Sequence, residues 1–158
     1  YDKSDLTVSD VMWVPGHFMT LSVISKRKPL RATAERAGWV GSNIHLNLIP
    51  QAGKISLVAD STIRSPLQVR KQAKALSFVR TLDSDGRIWL TDVLSCLDHL
   101  DIRPGQSFLN SDLYSIETRL EKLHPRNSHV RAKIRQQLQV LERHNVIART
   151  APGRYRRL

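Results

Sequence analysis

The residue types best suited to chemistry fall on one face of a predicted helix near the C-terminus. Within residues 127–158, apolar side chains recur at steps of four, four and three, which predicts an amphipathic helix capped by Asn127 or Ser128. The apolar positions are Val130, Ile134, Leu138 and Leu141. The opposite face carries His129, Ala132, Lys133, Arg135 and Gln136. Arginine and lysine can donate to guanine, and glutamine can donate and accept at adenine, so this face is suited to base edges in the major groove.

A basic hairpin is predicted to follow this helix. Residues 146–149 favour a short strand, residues 151–153 favour a turn, and residues 154–158 favour the second strand of the hairpin. From residue 126 to residue 158 there are nine lysines and arginines, and Glu142 is the only acidic residue. A solvated surface helix would carry mixed signs, so the excess of one sign favours contact with phosphates. The candidates for phosphate contact in this region are Arg131, Arg149, Arg154 and Arg156.

The composition of the whole chain also indicates a polyanionic partner. The chain has 158 residues, a formal net charge of +11 and a hydrophobic fraction of 41%, which is enough for a packed core. Nucleic acid is the first candidate partner, and an anionic membrane surface is the second. The apolar runs are too short to span a membrane, and no signal peptide is recognisable. A single cysteine, Cys96, excludes an internal disulfide framework and a cysteine-rich zinc site, and it predicts a reducing, cytoplasmic setting.

The sequence contains no recognisable catalytic or metal-binding constellation. A P-loop, a G-x-S-x-G motif and a metal-spaced histidine pair are all absent from it. The six histidines are scattered and are interpreted as surface residues, whereas Cys96 is interpreted as a small core residue. Asp83 and Asp85 could hold a metal ion, although a hydrophilic turn is the simpler interpretation. Asp98 and Asp101 are interpreted as surface charges.

A second basic run lies in the N-terminal part, close to a tryptophan. Trp39 stands between Gly38 and Gly41, and cations precede it. It is open to two interpretations: a core residue held by flanking glycine turns, or a loop aromatic that packs against a base beside phosphate-binding cations. The cations in question are Lys26, Arg27, Lys28 and Arg36.

The order of predicted elements indicates the fold of the C-terminal part. Val11 to Val14 is predicted to be a buried strand, residues 54–58 are predicted to form a further strand, and Pro66 is predicted to begin a connector helix. Residues 83–86 predict a turn-rich boundary. Beyond it, the patterns predict a helix, a short strand, one further helix, the basic helix and the hairpin. The further helix is predicted to be capped by Asn110 or Ser111 and to have an apolar face of Leu113, Ile116, Leu120 and Leu123. This order is typical of a winged helix-turn-helix, in which the third helix enters the major groove and the wing lies along the backbone.

Two stretches closely resemble the Dam-replacing family of DpnI-like, methyl-directed restriction endonucleases. The first is Lys26-Arg27-Lys28-Pro29-Leu30, with Thr33-Ala34, Arg36-Ala37-Gly38-Trp39-Val40-Gly41 and Asn43-Ile44 after it. The second is Lys133-Ile134-Arg135-Gln136-Gln137-Leu138-Gln139, with the closing Gly153-Arg154-Tyr155-Arg156-Arg157-Leu158. Glu35 and Ser42 depart from the family pattern, in which arginine and cysteine are usual. The loss of a positive charge at Glu35 could weaken a local phosphate contact.

This resemblance implies an α+β chain in three parts. Residues 1–62 would be the C-terminal remnant of a PD-(D/E)XK nuclease core, residues 63–84 a helical connector, and residues 85–158 a winged-helix DNA-binding domain. Family members cut both strands of GATC when its adenines are N6-methylated, and they use magnesium. The family's catalytic aspartate, its Glu-x-Lys motif and its cysteine zinc site would lie upstream of Tyr1, so this chain is expected to bind DNA without cleaving it and to hold no cofactor itself.

The resemblance also implies a bacterial setting, and it places Trp39 on the loop of the nuclease part that approaches DNA, as a candidate reader of the adenine methyl group. A methyl group is a small apolar surface, and its burial contributes about 0.8 kcal/mol. Two other functions stay open: a non-enzymatic winged-helix regulator that binds unmodified operator DNA, and a basic protein that binds any polyanion.

Overall fold

A computed structural model describes residues 7–158, in which small sheets and short 3-10 helices lead into a helical C-terminal part. The strands are β1 (Val11–Trp13), β2 (Ile24–Lys26), β3 (Ser42–Ile44), β4 (Ile55–Ala59), β5 (Thr62–Ile63), β6 (Ser107–Leu109), β7 (Ile147–Ala151) and β8 (Arg154–Arg157). The helices are α1 (Pro66–Ala75), α2 (Ser84–His99), α3 (Asn110–Tyr114), α4 (Glu117–Leu123) and α5 (Val130–Arg143). Four 3-10 helices span Gly16–Phe18, Leu46–Leu48, Gln51–Gly53 and Ser77–Thr81. The chain is therefore a mixed α/β fold.

Each of the three described sheets is small and antiparallel. Strands β1, β4 and β5 form one sheet with β4 in the middle, and β2 pairs with β3 as a separate hairpin. In the third sheet β8 lies between β6 and β7, so the C-terminal hairpin is anchored by a strand that precedes α3. The predicted order of helix, strand, helix, helix and hairpin is present. The additional pairing of β6 with β8 joins the strand before α3 to the C-terminal hairpin.

One hydrophobic core joins the N-terminal segment to the C-terminal helices. Phe18, Val23 and Ile49 belong to the same buried cluster as Trp89 and Leu94 of α2. Polar contacts reinforce this packing: the Ser95 Oγ donates to the Leu48 carbonyl at 2.8 Å, and the Gln51 N–H donates to Asp98 Oδ2 at 2.6 Å. The three-part division at residues 62 and 84 stays a prediction, but α2 serves as a common support for both ends of the chain.

The predicted helix starts need three corrections. His129 occupies the N-cap of α5, and Asn127 Oδ1 instead accepts from the His129 N–H at 2.8 Å. Residues 83–86 do not form a separate turn, because Asp83 caps α2 through Gly86. The single helix predicted after β6 begins at Asn110 without a side-chain cap from Asn110 or Ser111, because Leu109 is its N-cap.

That predicted single helix is also broken into α3 and α4 between Tyr114 and Glu117. The break rotates the apolar positions: Leu113 and Leu120 are fully buried, whereas Leu123 is 39% exposed.

The strand predicted at residues 11–14 forms, but the prediction that it is buried was wrong. In β1, Val11, Met12 and Trp13 are each more than one third exposed. Its pairing with β4 satisfies the backbone, and no described layer covers its side chains. The predicted strand at residues 54–58 is confirmed as β4, and Pro66 is the first residue of α1, as predicted.

His124 and Asp98 are not the surface residues predicted from the sequence. His124 is stacked on Trp89 with ring centroids 3.6 Å apart, and its Nε2 lies 2.8 Å from Asp92 Oδ2. Both side chains in this hydrogen bond are at least 90% buried. Asp98 is largely buried and pairs with Arg157. A single buried imidazole or carboxylate has no periodic signature, so only its tertiary partners identify it.

Candidate nucleic-acid interface

The outward face of α5 is fixed by the burial of its opposite face. Val130, Ile134, Leu138 and Leu141 are at most 3% exposed, as the spacing predicted. A helix held along one apolar stripe cannot rotate about its axis without exposing that stripe, so the polar face is held towards solvent. The exposed residues on it are His129, Ala132, Arg135 and Gln136.

A shallow depression of about 430 Å³ lies at the start of this face. His129, Ala132 and Gln136 line it, together with Arg126 and Ser128 of the loop before α5. Ala132 therefore leaves space between two longer polar side chains. The loop residues were not selected as site candidates from the sequence, because a polar loop carries no pattern that distinguishes a binding edge from an ordinary turn.

Lys133 is not a free cation. Its Nζ lies 2.8 Å from Asp85 Oδ2 and 5.9 Å from the centre of the Trp89 ring, and its side chain is only 22% exposed. Asp85 is in the first turn of α2, so this contact ties α5 to α2 across 48 positions of sequence. The structure places Lys133 at the edge of the predicted base-reading face, with its charge already balanced.

Arg131 and Arg135 both meet Tyr114 of α3. The Arg131 Nε donates to Glu117 Oε2 at 2.7 Å, and its guanidinium lies 5.1 Å from the centre of the Tyr114 ring. The Arg135 Nη1 donates to the Tyr114 hydroxyl at 3.2 Å. Each guanidinium has five N–H donors, so both side chains keep donors for another partner while the tyrosine orients them. Tyr114 was missed by the sequence reasoning.

The C-terminal hairpin alternates between buried and exposed residues. Tyr155 and Arg157 are buried, whereas Arg154 and Arg156 are exposed. Arg149, on the facing strand, lies 5.8 Å from the centre of the Tyr155 ring. The pleat of β8 therefore points two arginines outwards on one face and buries one aromatic and one arginine on the other.

Gly153 allows the tight turn of this hairpin because its φ is +69°, a conformation that L side chains rarely adopt. The backbone N–H of Asn110 donates to the Gly153 carbonyl at 3.0 Å, which fixes the turn against the start of α3.

Three of the nine cations counted between residues 126 and 158 are neutralised by acids outside that stretch. Glu117 pairs with Arg131, Asp85 with Lys133, and Asp98 with Arg157. The Arg157 pair is the most enclosed, since Arg157 Nη1 also donates to the Ile102 carbonyl at 2.6 Å. The one-sided count in the sequence therefore overstated the free charge. The other six cations make no ion pair within residues 7–158: Arg126, Arg135, Arg143, Arg149, Arg154 and Arg156.

Trp39 lies on the loop between β2 and β3 and is 54% exposed, so the core interpretation of this residue is excluded. Its ring lies over Gly41, where an added Cβ would come within 2.9 Å of the ring and 3.5 Å of Arg27 Cδ. Gly41 thus brings the aromatic close to the Arg27 stem. The four candidate phosphate contacts of this segment, Lys26, Arg27, Lys28 and Arg36, are all exposed.

The structure brings the predicted residues together in two groups. One comprises α5 with the C-terminal hairpin, and the other is the loop that carries Trp39. Among residues 7–158, no hydrogen bond, ion pair or ring contact joins a site candidate of one group to a site candidate of the other. Each group can therefore be altered independently of the other.

Cys96 is 2% exposed and forms part of the core, as predicted. Burial is the largest cause that raises the pKa of its thiol, to about 12, so the nucleophilic thiolate is scarce at neutral pH. We expect no reaction with a thiol-specific disulfide reagent at pH 8 in the native protein and complete reaction in denaturant. Rapid labelling of the native protein would contradict this assignment.

Two family models match consecutive parts of this chain. The family model of the Dam-replacing family, DpnI, matches residues 1–82. The model of the Dam-replacing HTH domain, DpnI_C, matches residues 85–157, which contain α2 to β8. No helix within residues 7–158 has the length and apolarity needed to cross a membrane. The chain therefore belongs to the Dam-replacing family, and its C-terminal part is that family's helix-turn-helix domain, a DNA-binding type of module.

Proposed function

We propose that this chain is the DNA-reading portion of a methyl-directed restriction endonuclease that recognises GATC with N6-methylated adenines. In this proposal the C-terminal part is a winged helix-turn-helix: α5 enters the major groove, and the hairpin of β7 and β8 follows the phosphate backbone. The observation that carries the proposal is the exposed polar face of α5, held outwards by its buried apolar stripe in a domain that matches the family's HTH module.

The contacts divide by chemistry. Gln136 and Arg135 have the donor and acceptor geometry for base edges, and His129 can contribute from the helix start. Ala132 provides the space that a close backbone approach requires. Lys133 reads a base only if it leaves Asp85, so its more direct contribution is to hold α5 against α2. Arg131, Arg149, Arg154 and Arg156 contact phosphates, which position the protein without reading sequence.

The N-terminal part is proposed to be a remnant of the nuclease core that contributes contacts with DNA and no hydrolysis. Residues 7–158 contain no cluster of three histidine, cysteine, aspartate or glutamate side chains able to hold a metal ion. We therefore assign neither a magnesium ion nor a catalytic step to these residues in the proposal. The contribution of this part is the exposed Trp39 with its neighbouring cations.

Trp39→Ala is expected to reduce the preference for methylated over unmethylated GATC by about fourfold, the equivalent of one buried methyl carbon at about 0.8 kcal/mol. Binding isotherms with the two duplexes measure this ratio. The free energy of unfolding should change little, because the side chain is more than half exposed. Trp39→Phe, which keeps an aromatic ring, is the matched control and should retain more of the preference. An unchanged ratio in Trp39→Ala would remove methyl reading from this residue.

A non-enzymatic regulator that binds unmodified DNA is the alternative function. The test is a titration of this chain against one short duplex in three states: GATC with both adenines methylated, the same GATC unmethylated, and a scrambled site. Preference for the methylated duplex supports the proposal. Equal binding to both GATC duplexes, with weaker binding to the scramble, means that sequence is read here without the methyl groups. Equal binding to all three, lost as salt is raised, would leave only electrostatic DNA binding.

A further inference from the structure

A second cationic surface lies outside the residues assigned to sequence reading. Residues 61–82, which include α1, contain five lysines and arginines and no acidic residue. None of these five cations forms an ion pair with any residue that the structure describes. This contrasts with α5, where two cations are already balanced by acids on neighbouring helices. The five cations are Arg64, Arg70, Lys71, Lys74 and Arg80.

Three of these cations line one open cleft. The cleft has a volume of about 420 Å³ and lies between α1, the end of β1 and the 3-10 helix Gly16–Phe18. Arg70, Lys74 and Arg80 form its cationic side, and Trp13, which is 45% exposed, forms an apolar wall. Within residues 7–158, no aspartate or glutamate lines the cleft. Positive charges at an apolar wall are less screened than charges in open solvent, so they attract an anion more strongly.

His17 also lines this cleft. Its Nε2 is buried and has no hydrogen-bond partner among residues 7–158. The pKa of His17 lies below its usual value, first because of burial and then because of the positive charges of Arg80 and Arg87. The second cause agrees with the position of Arg80, which lines the same cleft. A negative group placed in the cleft would oppose that effect.

We propose that this cleft binds the phosphate backbone of double-stranded DNA, as a contact surface separate from α5 and the C-terminal hairpin. Its chemistry favours phosphates in any base sequence, since lysine and arginine neutralise backbone charge without reading base edges. The cleft is open to solvent, so a continuous backbone can reach it. The proposal takes its partner, DNA, from the proposed function, but it makes no use of the GATC site or its methylation.

The test follows the His17 ring by NMR as a function of pH, with and without a short duplex that lacks GATC. Binding of the duplex is expected to raise the pKa of His17 in the unsubstituted protein. Arg70→Gln with Lys74→Gln should abolish most of this rise. It should also reduce the slope of log binding constant against log salt concentration by about 1.8, or about 0.9 for each lost phosphate contact.

The matched control is Arg64→Gln with Lys71→Gln, which removes the same charge from the other flank of α1, where these residues line a different cleft. This control should keep the His17 response and the slope. If both double variants lost the same part of the His17 pKa rise and of the salt slope, net charge alone would explain the effect and the proposal would be overturned. It would also be overturned if the duplex left the pKa of His17 unchanged. If inorganic phosphate, added at the same total phosphate concentration, raised the pKa of His17 as much as the duplex does, the cleft would be a small-anion site and the proposal would also be overturned.

This outcome is separable from that of the proposed function, because the duplex contains no GATC. Loss of the preference for methylated GATC, with the His17 response intact, removes only the proposed sequence reading. Preservation of that preference without a His17 response removes only the cleft as a DNA contact.

Discussion

Arg157→Ala is expected to lower the free energy of unfolding by about 3–5 kcal/mol, the cost typical of removing one partner from a buried ion pair. The Arg157 guanidinium is 8% exposed and Asp98 is 17% exposed, with 2.7 Å between Nη1 and Oδ1. The same nitrogen donates to the Ile102 carbonyl. The substitution would leave the Asp98 charge without its cation and release β8 from α2. Urea denaturation followed by far-ultraviolet circular dichroism measures the effect.

Arg156→Ala is the matched control because Arg156 is the preceding residue of β8 and points to the opposite, exposed face. We expect it to change the free energy of unfolding by no more than about 0.5 kcal/mol, as at other exposed positions without special contacts. Its DNA affinity should fall by a similar factor for every duplex. A stability loss in Arg156→Ala as large as in Arg157→Ala would show that the alternation of β8 is not as described. Asp98→Asn keeps a hydrogen-bond acceptor for Arg157, so we expect its loss in the free energy of unfolding to lie between those of Arg156→Ala and Arg157→Ala.

Gln136→Ala is expected to weaken binding to methylated GATC by about 1–3 kcal/mol, if its amide makes a bidentate contact with an adenine. Gln136 is exposed on the outward face of α5 and lines the depression beside Ala132. Its replacement should leave stability unchanged, because no described contact of the fold depends on it. The measurement is a pair of binding isotherms, one with methylated GATC and one with the scrambled duplex.

Gln72→Ala provides the control, since Gln72 is an exposed glutamine of another helix, α1. It should leave the ratio between the two duplexes unchanged. Equal weakening on both duplexes by Gln136→Ala would assign Gln136 to the backbone instead of a base. Gln137 cannot serve as the control, because it is 3% exposed and its loss would disturb the core.

The local elements of the C-terminal part were predictable from the sequence. The spacing of Val130, Ile134, Leu138 and Leu141 predicts both α5 and its buried face, and the structure confirms both. The turn at Gly153 was predictable for a similar reason, since glycine next to proline between two short runs favours a turn. These features depend on periodicity and backbone preference, which are properties of neighbouring residues in the sequence.

The charge balance of the site was decided by the tertiary structure. Residues 126–158 contain one acid and nine cations, but Asp85, Asp98 and Glu117 approach three of those cations from other elements. No periodicity links Asp85 to Lys133, since their contact depends on how α2 packs against α5. The break between α3 and α4 was likewise not predictable from the sequence, because the spacing of Leu113, Ile116 and Leu120 is that of one continuous helix.

Trp39 shows most clearly where the sequence alone was insufficient. Its glycine neighbours were compatible with a core tryptophan and with a loop aromatic, since both need backbone freedom. The sequence determined the family resemblance, the basic helix with its hairpin and the apolar face that orients them. The tertiary structure determined which cations are neutralised, which tryptophans are exposed and which acids face the helix. Hydrophobic periodicity depends only on residues close together in sequence, whereas exposure and charge balance depend on contacts between residues far apart in sequence.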